Sequence, residues 1–176
     1  MALAYPRSVP LTNSEALPIV MNPMITTRGT LHESVAVVEC VSGDDNDSVY
    51  CFVALKSTDR VSRVLLSCDV ITTGTTDVGL FTYTVGTSEP VTVDRDFFAS
   101  AVALTSALVH SDVTHEADAA DGGAGYGLAD TLKPLWQAAG LSADTGLTYY
   151  VGLMWTDGPS STGTISLKVQ YVSSGD

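Results

Sequence analysis

The sequence predicts a mainly β protein: a β-sandwich or jelly-roll-like body with two short helices and an extended N-terminal arm. Valine and threonine number 21 each, and both branch at Cβ, which favours the pleated strand. From residue 31 onward, short apolar runs alternate with turns rich in Gly, Asp, Ser and Thr. A chain of 176 residues predicts one domain that buries roughly 70% of its unfolded surface.

Residues 1–30 are predicted to form the arm, and residues 31–176 a single β-rich domain. Four of the seven prolines lie in the first 23 positions, and proline disfavours both a long helix and a central strand. The arm is apolar, and Glu15 is its only acid, so it either lies against a partner or wraps its own domain. The residues predicted to contact a partner protein are Tyr5, Arg7, Leu11, Leu17, Ile19, Met21, Met24, Arg28 and, in the body, Arg63.

The first strands of the body are predicted to be joined by short turns. The runs ESVAVVECV (33–41) and SVYCFVALK (48–56) predict a hairpin, with the acidic cluster at 42–47 as its exposed loop. The turn at 57–59 then leads into a third strand at 60–71.

The run VGLFTYTVG (78–86) predicts a fourth strand. Alternation along this strand places Gly79, Phe81, Tyr83 and Val85 on one face. Because this face carries both aromatic side chains, it is predicted to be the face that packs in the core.

Two helices are predicted to interrupt the strands. The run DRDFFASAVALTSAL (94–108) opens with acids, which suit a helix N-terminus, and spaces its apolar residues at helical intervals. The run TLKPLWQAAG (131–140) predicts a second helix, which Thr131 caps, which tolerates Pro134 in its first turn and which ends at Gly140.

The C-terminal region predicts another hairpin. Two strand-like runs, GLTYYVGLMWT (146–156) and TISLKVQYV (164–172), flank the turn at 157–163. The chain as a whole therefore contains at least six predicted strands, which suits a sandwich or a jelly roll.

The charge of the chain argues against nucleic acid as a partner. The formal net charge is −12, and no Lys or Arg occurs between Arg95 and Lys133, whereas phosphate binding needs a concentrated cationic face. No run approaches 18 apolar residues, so no membrane span is expected, and the N-terminus lacks the pattern of a signal peptide. The three cysteines, Cys40, Cys51 and Cys68, are predicted to be free thiols of a protein made in a reducing cytoplasm.

No motif in the sequence predicts a cofactor, a metal ion or a catalytic centre. HSDVTHE (110–116) is the best metal candidate, but its histidines are five residues apart, which fits neither a helix face nor a strand face. DDND (44–47) lacks the glycine and the glutamate of a calcium loop. GGAGYG (122–127) has acidic flanks, which repel phosphate, and no G-x-S-x-G motif is present. We therefore predict that the chain is not an enzyme.

The stretch ALKSTDRVSRVLL (54–66) is unusual because it holds three of the eight cationic side chains. Lys56 and Arg60 flank a predicted turn, where charges are mostly solvated and contribute about 0–1 kcal/mol. Arg63 lies within an apolar run, so it is either on an open strand face or paired with a carboxylate from a partner. Turn charges, a protein contact and an anion site remain as alternatives for the stretch.

An ordered set of segments resembles a group of small virion proteins of tailed bacteriophages, of the head decoration or capsid cement type. The set is ALKSTDRV, LSCDV, TDVGLF, DFFASAV, SDVTHE and GTISLKVQYV, which together cover roughly residues 50–172. The resemblance implies a non-enzymatic protein that binds the outer surface of a phage capsid and reinforces it. It also implies the major capsid protein as the partner, assembly with further copies on the capsid, and synthesis in the cytoplasm of the host bacterium.

Other functions remain open from the sequence alone. The chain suits a structural component of the tail or neck, or a glycan-binding module that uses Tyr149, Tyr150 and Trp155, although a core hairpin explains these aromatic residues equally well. A hydrolase with residues gathered from distant loops, among them the three histidines, is a further alternative.

Overall fold

The computed structural model describes residues 7–22, 29–84, 86, 89–117, 125–131 and 133–173. Strands dominate this part of the chain: β1 (Leu31–Cys40), β2 (Val49–Lys56), β3 (Arg60–Cys68), β4 (Thr75–Tyr83), β5 (Pro90–Ala103), β6 (Leu108–Asp112), β7 (Thr148–Asp157) and β8 (Gly163–Val172). Its helical segments include α1 (Val9–Glu15), a 3-10 turn (Leu128–Asp130) and α2 (Leu135–Ala138). The prediction of a mainly β protein is confirmed.

The strands form two antiparallel sheets that pack face to face. Sheet I has the order β1-β8-β3-β6, and sheet II has the order β2-β7-β4-β5. Each of the first four strands pairs with one of the last four, in reverse order: β1 with β8, β2 with β7, β3 with β6 and β4 with β5. The fold is thus one long hairpin, with its tip between β4 and β5, that is rolled over onto itself. This is a jelly roll, one of the two architectures that the sequence left open.

The ladder between β1 and β8 is the most regular in the molecule. Ten consecutive pairs run from Leu31 opposite Val172 to Cys40 opposite Gly163, without a register shift. The polypeptide therefore enters and leaves the jelly roll at the same end of sheet I, and the acidic loop at 42–47 follows the other end of β1.

The two hairpins predicted from adjacent runs are wrong. The strands of the first, at 33–41 and 48–56, lie in different sheets as β1 and β2, and those of the last, at 146–156 and 164–172, do so as β7 and β8. Turn residues indicate that the chain reverses, but they do not say whether it returns beside the same strand or crosses to the opposite sheet. In a jelly roll most successive strands cross over.

The helix predicted at 94–108 is also wrong, because these residues belong mostly to β5 and β6. β5 pairs with β4 through several register shifts, and between Val78 and Leu80 it accommodates the extra residues 95–98 in a bulge. The bulge lets the neighbours Phe97 and Phe98 both point into the protein, where a regular strand would separate them. Because two neighbouring residues are both buried, the apolar residues of 94–108 do not alternate as in a regular strand, and their spacing resembles that of a helix.

The second predicted helix, at 131–140, exists in a shorter form. α2 begins after Pro134, so Thr131 is not its cap, and the predicted stop is Gly140, whose positive φ of 80° ends the turn. The N–H groups of Leu135 and Trp136 donate to the carbonyl oxygens of Asp59 and Ser57, at 2.9 and 3.1 Å, which fixes α2 on the turn after β2. None of the helices in the described residues is long and apolar enough to cross a membrane.

The core lies between the two sheets, and the predicted core face of β4 is wrong. Val78 and Leu80 enter the main core, whereas Phe81 is buried on the opposite face and Tyr83 is exposed. Val85 lies outside the described residues. The largest fully buried side chains are Trp155, Tyr126, Tyr149, Phe81, Phe97 and Phe98. Aromatic character alone did not identify the core face because both faces of β4 are covered.

The bulge of β5 passes very close to β4. A Cβ at Gly79 would collide with the backbone carbonyl oxygens of Asp94 and Arg95. Beside it, the carboxylate of Asp77, 3% exposed, accepts hydrogen bonds from Arg95 Nε and from the backbone N–H of Ala101, both at 2.7 Å. Glycine and a buried, fully engaged carboxylate therefore hold the bulge in place.

Candidate protein-interaction site

Residues 7–22 form a small folded unit, which we call the N-terminal hook. α1 is followed by a bend at 16–18, and the chain then returns alongside the helix. Two asparagines hold the return: the side-chain amide of Asn13 donates to Asn22 Oδ1 at 2.9 Å, and that of Asn22 donates to the carbonyl oxygen of Pro10 at 2.8 Å. The backbone N–H of Val20 also donates to the carbonyl oxygen of Asn13, at 3.1 Å. The hook thus takes its shape from its own residues.

The local sequence explains why α1 forms inside the predicted arm. Proline in the first turn fixes φ where no N–H donor is needed. Both the backbone N–H and the hydroxyl of Thr12 donate to the carbonyl oxygen of Ser8, at 3.0 Å, and Arg7 forms an exposed ion pair with Glu15. A helix of seven residues is marginal in water on its own. A surface that covers the hook would therefore also stabilise the helix.

The hook presents its apolar side chains to solvent. Leu17, Met21 and Ile19 are 95, 87 and 66% exposed, and no residue of α1 is buried. Removal of such surface from water stabilises a complex by about 25 cal/mol per Å². Chemically, the hook is suited to binding an apolar surface.

The structure places only some of the predicted contact residues. Leu11, Leu17, Ile19 and Met21 are exposed on the hook, and Arg7 is there too. Those that lie outside the described residues are Tyr5, Met24 and Arg28.

Arg63 lies on the outward face of sheet I, in β3. Its Nε is 3.1 Å from Asp112 Oδ2 in β6, and both side chains are about half exposed. Of the two alternatives left by the sequence, the structure shows the open strand face, and the carboxylate that Arg63 pairs with belongs to its own chain and not to a partner. Exposed pairs of this kind contribute about 0–1 kcal/mol, which leaves Arg63 accessible to a partner at little cost.

The rest of the basic stretch belongs to a turn. Asp59 is 3% exposed, and its carboxylate accepts the backbone N–H of Lys56 at 2.9 Å, which closes the turn between β2 and β3. Burial lowers the pKa of Arg60 below its ordinary value. These residues connect two strands and support α2.

The residues of the best metal candidate have separate hydrogen-bond partners. The backbone N–H of His110 donates to Ser67 Oγ at 2.9 Å, His115 Nδ1 lies 2.7 Å from the carbonyl oxygen of Tyr126, and the Glu116 carboxylate accepts the backbone N–H of Ser100 at 2.7 Å. Within the described ranges, no group of three or more His, Cys, Asp or Glu side chains is placed to hold a metal ion.

The glycine-rich motif leads to an aromatic cluster. The described part of GGAGYG begins at Gly125, and Tyr126 is fully buried with its hydroxyl donating to the carbonyl oxygen of Val61 at 2.7 Å. Its ring packs against Phe97 and Phe98, and burial raises the pKa of its hydroxyl above the ordinary value. Tyr126 closes one side of the core.

The three aromatic residues considered for glycan binding do not form one surface. Tyr149 and Trp155 are in the core, whereas Tyr150 is half-buried on the outward face of sheet II, edge-to-face with Tyr83 at 4.7 Å. A hydrogen bond with Cys51 and partial burial raise the pKa of Tyr83 to about 12. Alternation along the strand separates neighbouring tyrosines, so the sequence run suggested a patch that the fold does not assemble.

Sequence reasoning missed a second exposed apolar surface, on β1. Val35 and Val37 are 54 and 60% exposed on the outward face of sheet I, while Ala36 between them packs against the core. The alternation in ESVAVVE predicted the strand and could have indicated its two faces. The sequence could not show that β1 is an edge strand, because β1 pairs with β8, which lies at the other end of the described chain.

Comparisons with known proteins find the fold of this chain in a solved phage capsid structure. No protein-family model and no curated protein sequence matches the chain. A chain in the capsid of Ralstonia phage GP4 has a similar structure, with a TM-score of 0.53 and 16% identity, over 84% of this chain and 87% of that one. A chain of the cyanophage Pam1 capsid asymmetric unit gives a TM-score of 0.47 and 13% identity, over 82 and 85%. The first similarity shows a shared fold.

Proposed function

We propose that this chain is a structural protein of a tailed-phage virion that attaches to the outer surface of the capsid and reinforces it. Its partner is the major capsid protein, and the contact is made by shape and apolar burial, without a catalytic centre or a cofactor. The observation that carries the proposal is the hook, whose exposed apolar side chains stand outside a core that is already complete. The shared fold with a chain of a phage capsid supports it.

The size of the apolar contact indicates how the attachment works. Full burial of Leu17, Ile19 and Met21, which are mostly exposed, would stabilise a complex by about 4.5–9 kcal/mol in total. Association itself costs about 4–15 kcal/mol. The hook alone therefore roughly offsets this cost, and firm attachment needs a further contact from the body.

The charge of the chain fits an exposed position on a particle. A net charge of −12 keeps the body soluble at high local concentration and discourages contacts between neighbouring copies except where a specific surface favours them. Acidic loops such as 42–47 are suited to the side that faces solvent.

The proposal is tested on purified phage heads that lack this chain. The full chain is added back, and its occupancy is compared with that of a chain without residues 2–25 and of the triple variant Leu17→Ser, Ile19→Ser, Met21→Ser. We expect both to bind at least tenfold more weakly than the full chain. The matched control, Val70→Ser, Val109→Ser and Leu128→Ser, removes three exposed apolar side chains from the body and should bind normally.

Two results would contradict the proposal. Equal occupancy of all four chains would show that the hook does not attach the protein. Mass spectrometry of intact virions gives the copy number: about one copy per one to a few major capsid subunits fits decoration, whereas a handful per particle would indicate a tail or neck component.

A further inference from the structure

β1 differs from the other edge strands in the described residues. The two sheets have four edges, formed by β1, β6, β2 and β5. β6 has five residues, β2 has a register shift next to Cys51, and β5 has several. Short or bulged edges discourage pairing with another chain, but β1 is ten residues long and pairs with β8 without a shift. In the described part of the chain, no strand pairs with the other side of β1.

The outward side chains of β1 form a defined pattern. Glu33, Val35, Val37 and Glu39 alternate with core-facing residues, so two apolar side chains lie between two carboxylates. Lys168 of β8 lies opposite Val35, and its Nζ is 3.4 Å from Glu33 Oε1. The edge therefore has two apolar side chains in the middle and a carboxylate on each side of them, of which Glu33 already contacts Lys168 and Gln170 of β8.

The charge of the chain argues against a second copy of it as the occupant. Two antiparallel registers keep the outward faces of two β1 strands together over nine residues: in the one centred on Ala36, Glu33 of each copy faces Glu39 of the other, and in the one centred on Val35 no two carboxylates face each other. Like charges across the strand pair disfavour the first register, and in both registers each copy carries a net charge of −12.

We propose that β1 accepts an additional strand from a partner protein, with apolar side chains opposite Val35 and Val37 and Lys or Arg side chains opposite Glu33 and Glu39. Backbone hydrogen bonds along the free edge would give such a strand its affinity, and the alternating side chains would set its register. The inference rests on the proposed function, because the partner is then a protein of the phage head, and it supplies the body contact that the hook alone lacks.

Hydrogen–deuterium exchange of the full chain, free and bound to phage heads, tests this inference. We expect the peptide covering 31–40 to exchange at least tenfold more slowly on heads, because the edge amides become hydrogen-bonded. The double variant Glu33→Lys, Glu39→Lys should bind heads at least tenfold more weakly. The control Asp45→Lys, Asp157→Lys makes the same change of charge at exposed positions away from β1 and should bind normally.

Each other outcome overturns the inference. If the chain occupies heads but residues 31–40 exchange as in the free chain, β1 is not the contact, while the proposed function stands. If the β1 variant and the charge control bind heads more weakly by the same factor, then the net charge of the chain, and not a basic strand on β1, explains the binding. Protection of β1 in a concentrated free chain that sediments as a dimer would assign the edge to a second copy. A chain that binds no heads overturns both proposals.

Discussion

The hook and the jelly roll use the same kinds of apolar residue in opposite ways. In the jelly roll, Trp155 and Leu167 are completely buried, whereas Leu17 in the hook is 95% exposed. The hydrogen bonds that shape the hook join residues at most 12 positions apart, while Tyr126 reaches across 65 positions to Val61. The body is thus held by long-range contacts, and the hook by local ones.

Under the proposed function, this difference predicts that the hook contributes to attachment and not to the stability of the jelly roll. A variant in the core of the body should change the free energy of unfolding, and a variant in the hook should change binding only. The free energy of unfolding of four variants tests whether the two regions are separate in this way.

Gly79→Ala should have the largest effect. Its new Cβ would collide with the carbonyl oxygens of Asp94 and Arg95, so the backbone of β4 or of the bulge has to move. We expect the free energy of unfolding to fall by about 3 kcal/mol or more, measured by urea denaturation. A loss below about 1 kcal/mol would show that the bulge is free to shift away from β4.

Asp77→Ala should cause the second largest loss in the free energy of unfolding. The substitution leaves the backbone N–H of Ala101 without its acceptor and removes the partner of Arg95. Since a buried unsatisfied donor costs about 1–3 kcal/mol, and Arg95 itself is partly exposed to water, we expect a loss of about 2 kcal/mol in the same assay. Arg63→Ala, which breaks the exposed ion pair with Asp112, is the control and should cost less than about 1 kcal/mol.

Asp94→Asn should stabilise the protein slightly, and only above acidic pH. Burial, followed by the neighbouring Asp96, raises the pKa of the Asp94 carboxyl, so the folded state holds this proton more tightly than the unfolded state. Its contribution to stability is therefore present below the unfolded pKa of about 3.9 and is lost as pH rises through the folded value. Because Asp94 is partly exposed, the gain at pH 7 should be below about 1 kcal/mol. An equal gain at pH 3 and pH 7 would contradict this cause.

The triple hook variant Leu17→Ser, Ile19→Ser, Met21→Ser should have the smallest effect. These side chains are exposed, so the free energy of unfolding should change by less than about 0.5 kcal/mol. Thermal unfolding followed by circular dichroism checks the result. A clear loss of stability would mean that the hook supports the body and that the two regions are not separate.

Composition and local pattern predicted the fold class and most strand positions, because Val, Thr and turn residues act over a few neighbours. They did not predict which strands pair. β1 lies beside β8 although more than 120 positions separate Cys40 from its partner Gly163. No local signal in the sequence encodes this pairing. The misread helix at 94–108 has a related cause, since the bulge of β5 depends on its contact with Gly79 of another strand.

The candidate site was predicted in part. The apolar, acid-poor composition of residues 1–30 indicated an interaction segment, and Leu17, Ile19 and Met21 are exposed as such a role requires. Whether they contact a partner stays a prediction. The edge position of Val35 and Val37 could not be predicted, because it follows from the order of strands in sheet I.

The geometry of β1 also determines where foreign sequences could be displayed. Its ten residues separate Leu31, where the jelly roll begins, from the acidic loop at 42–47 by about 30 Å. A peptide inserted in that loop would therefore project from the opposite end of sheet I to a peptide fused after Val172, which lies opposite Leu31. A display scaffold built on this jelly roll would thus have two insertion positions at the two ends of one strand.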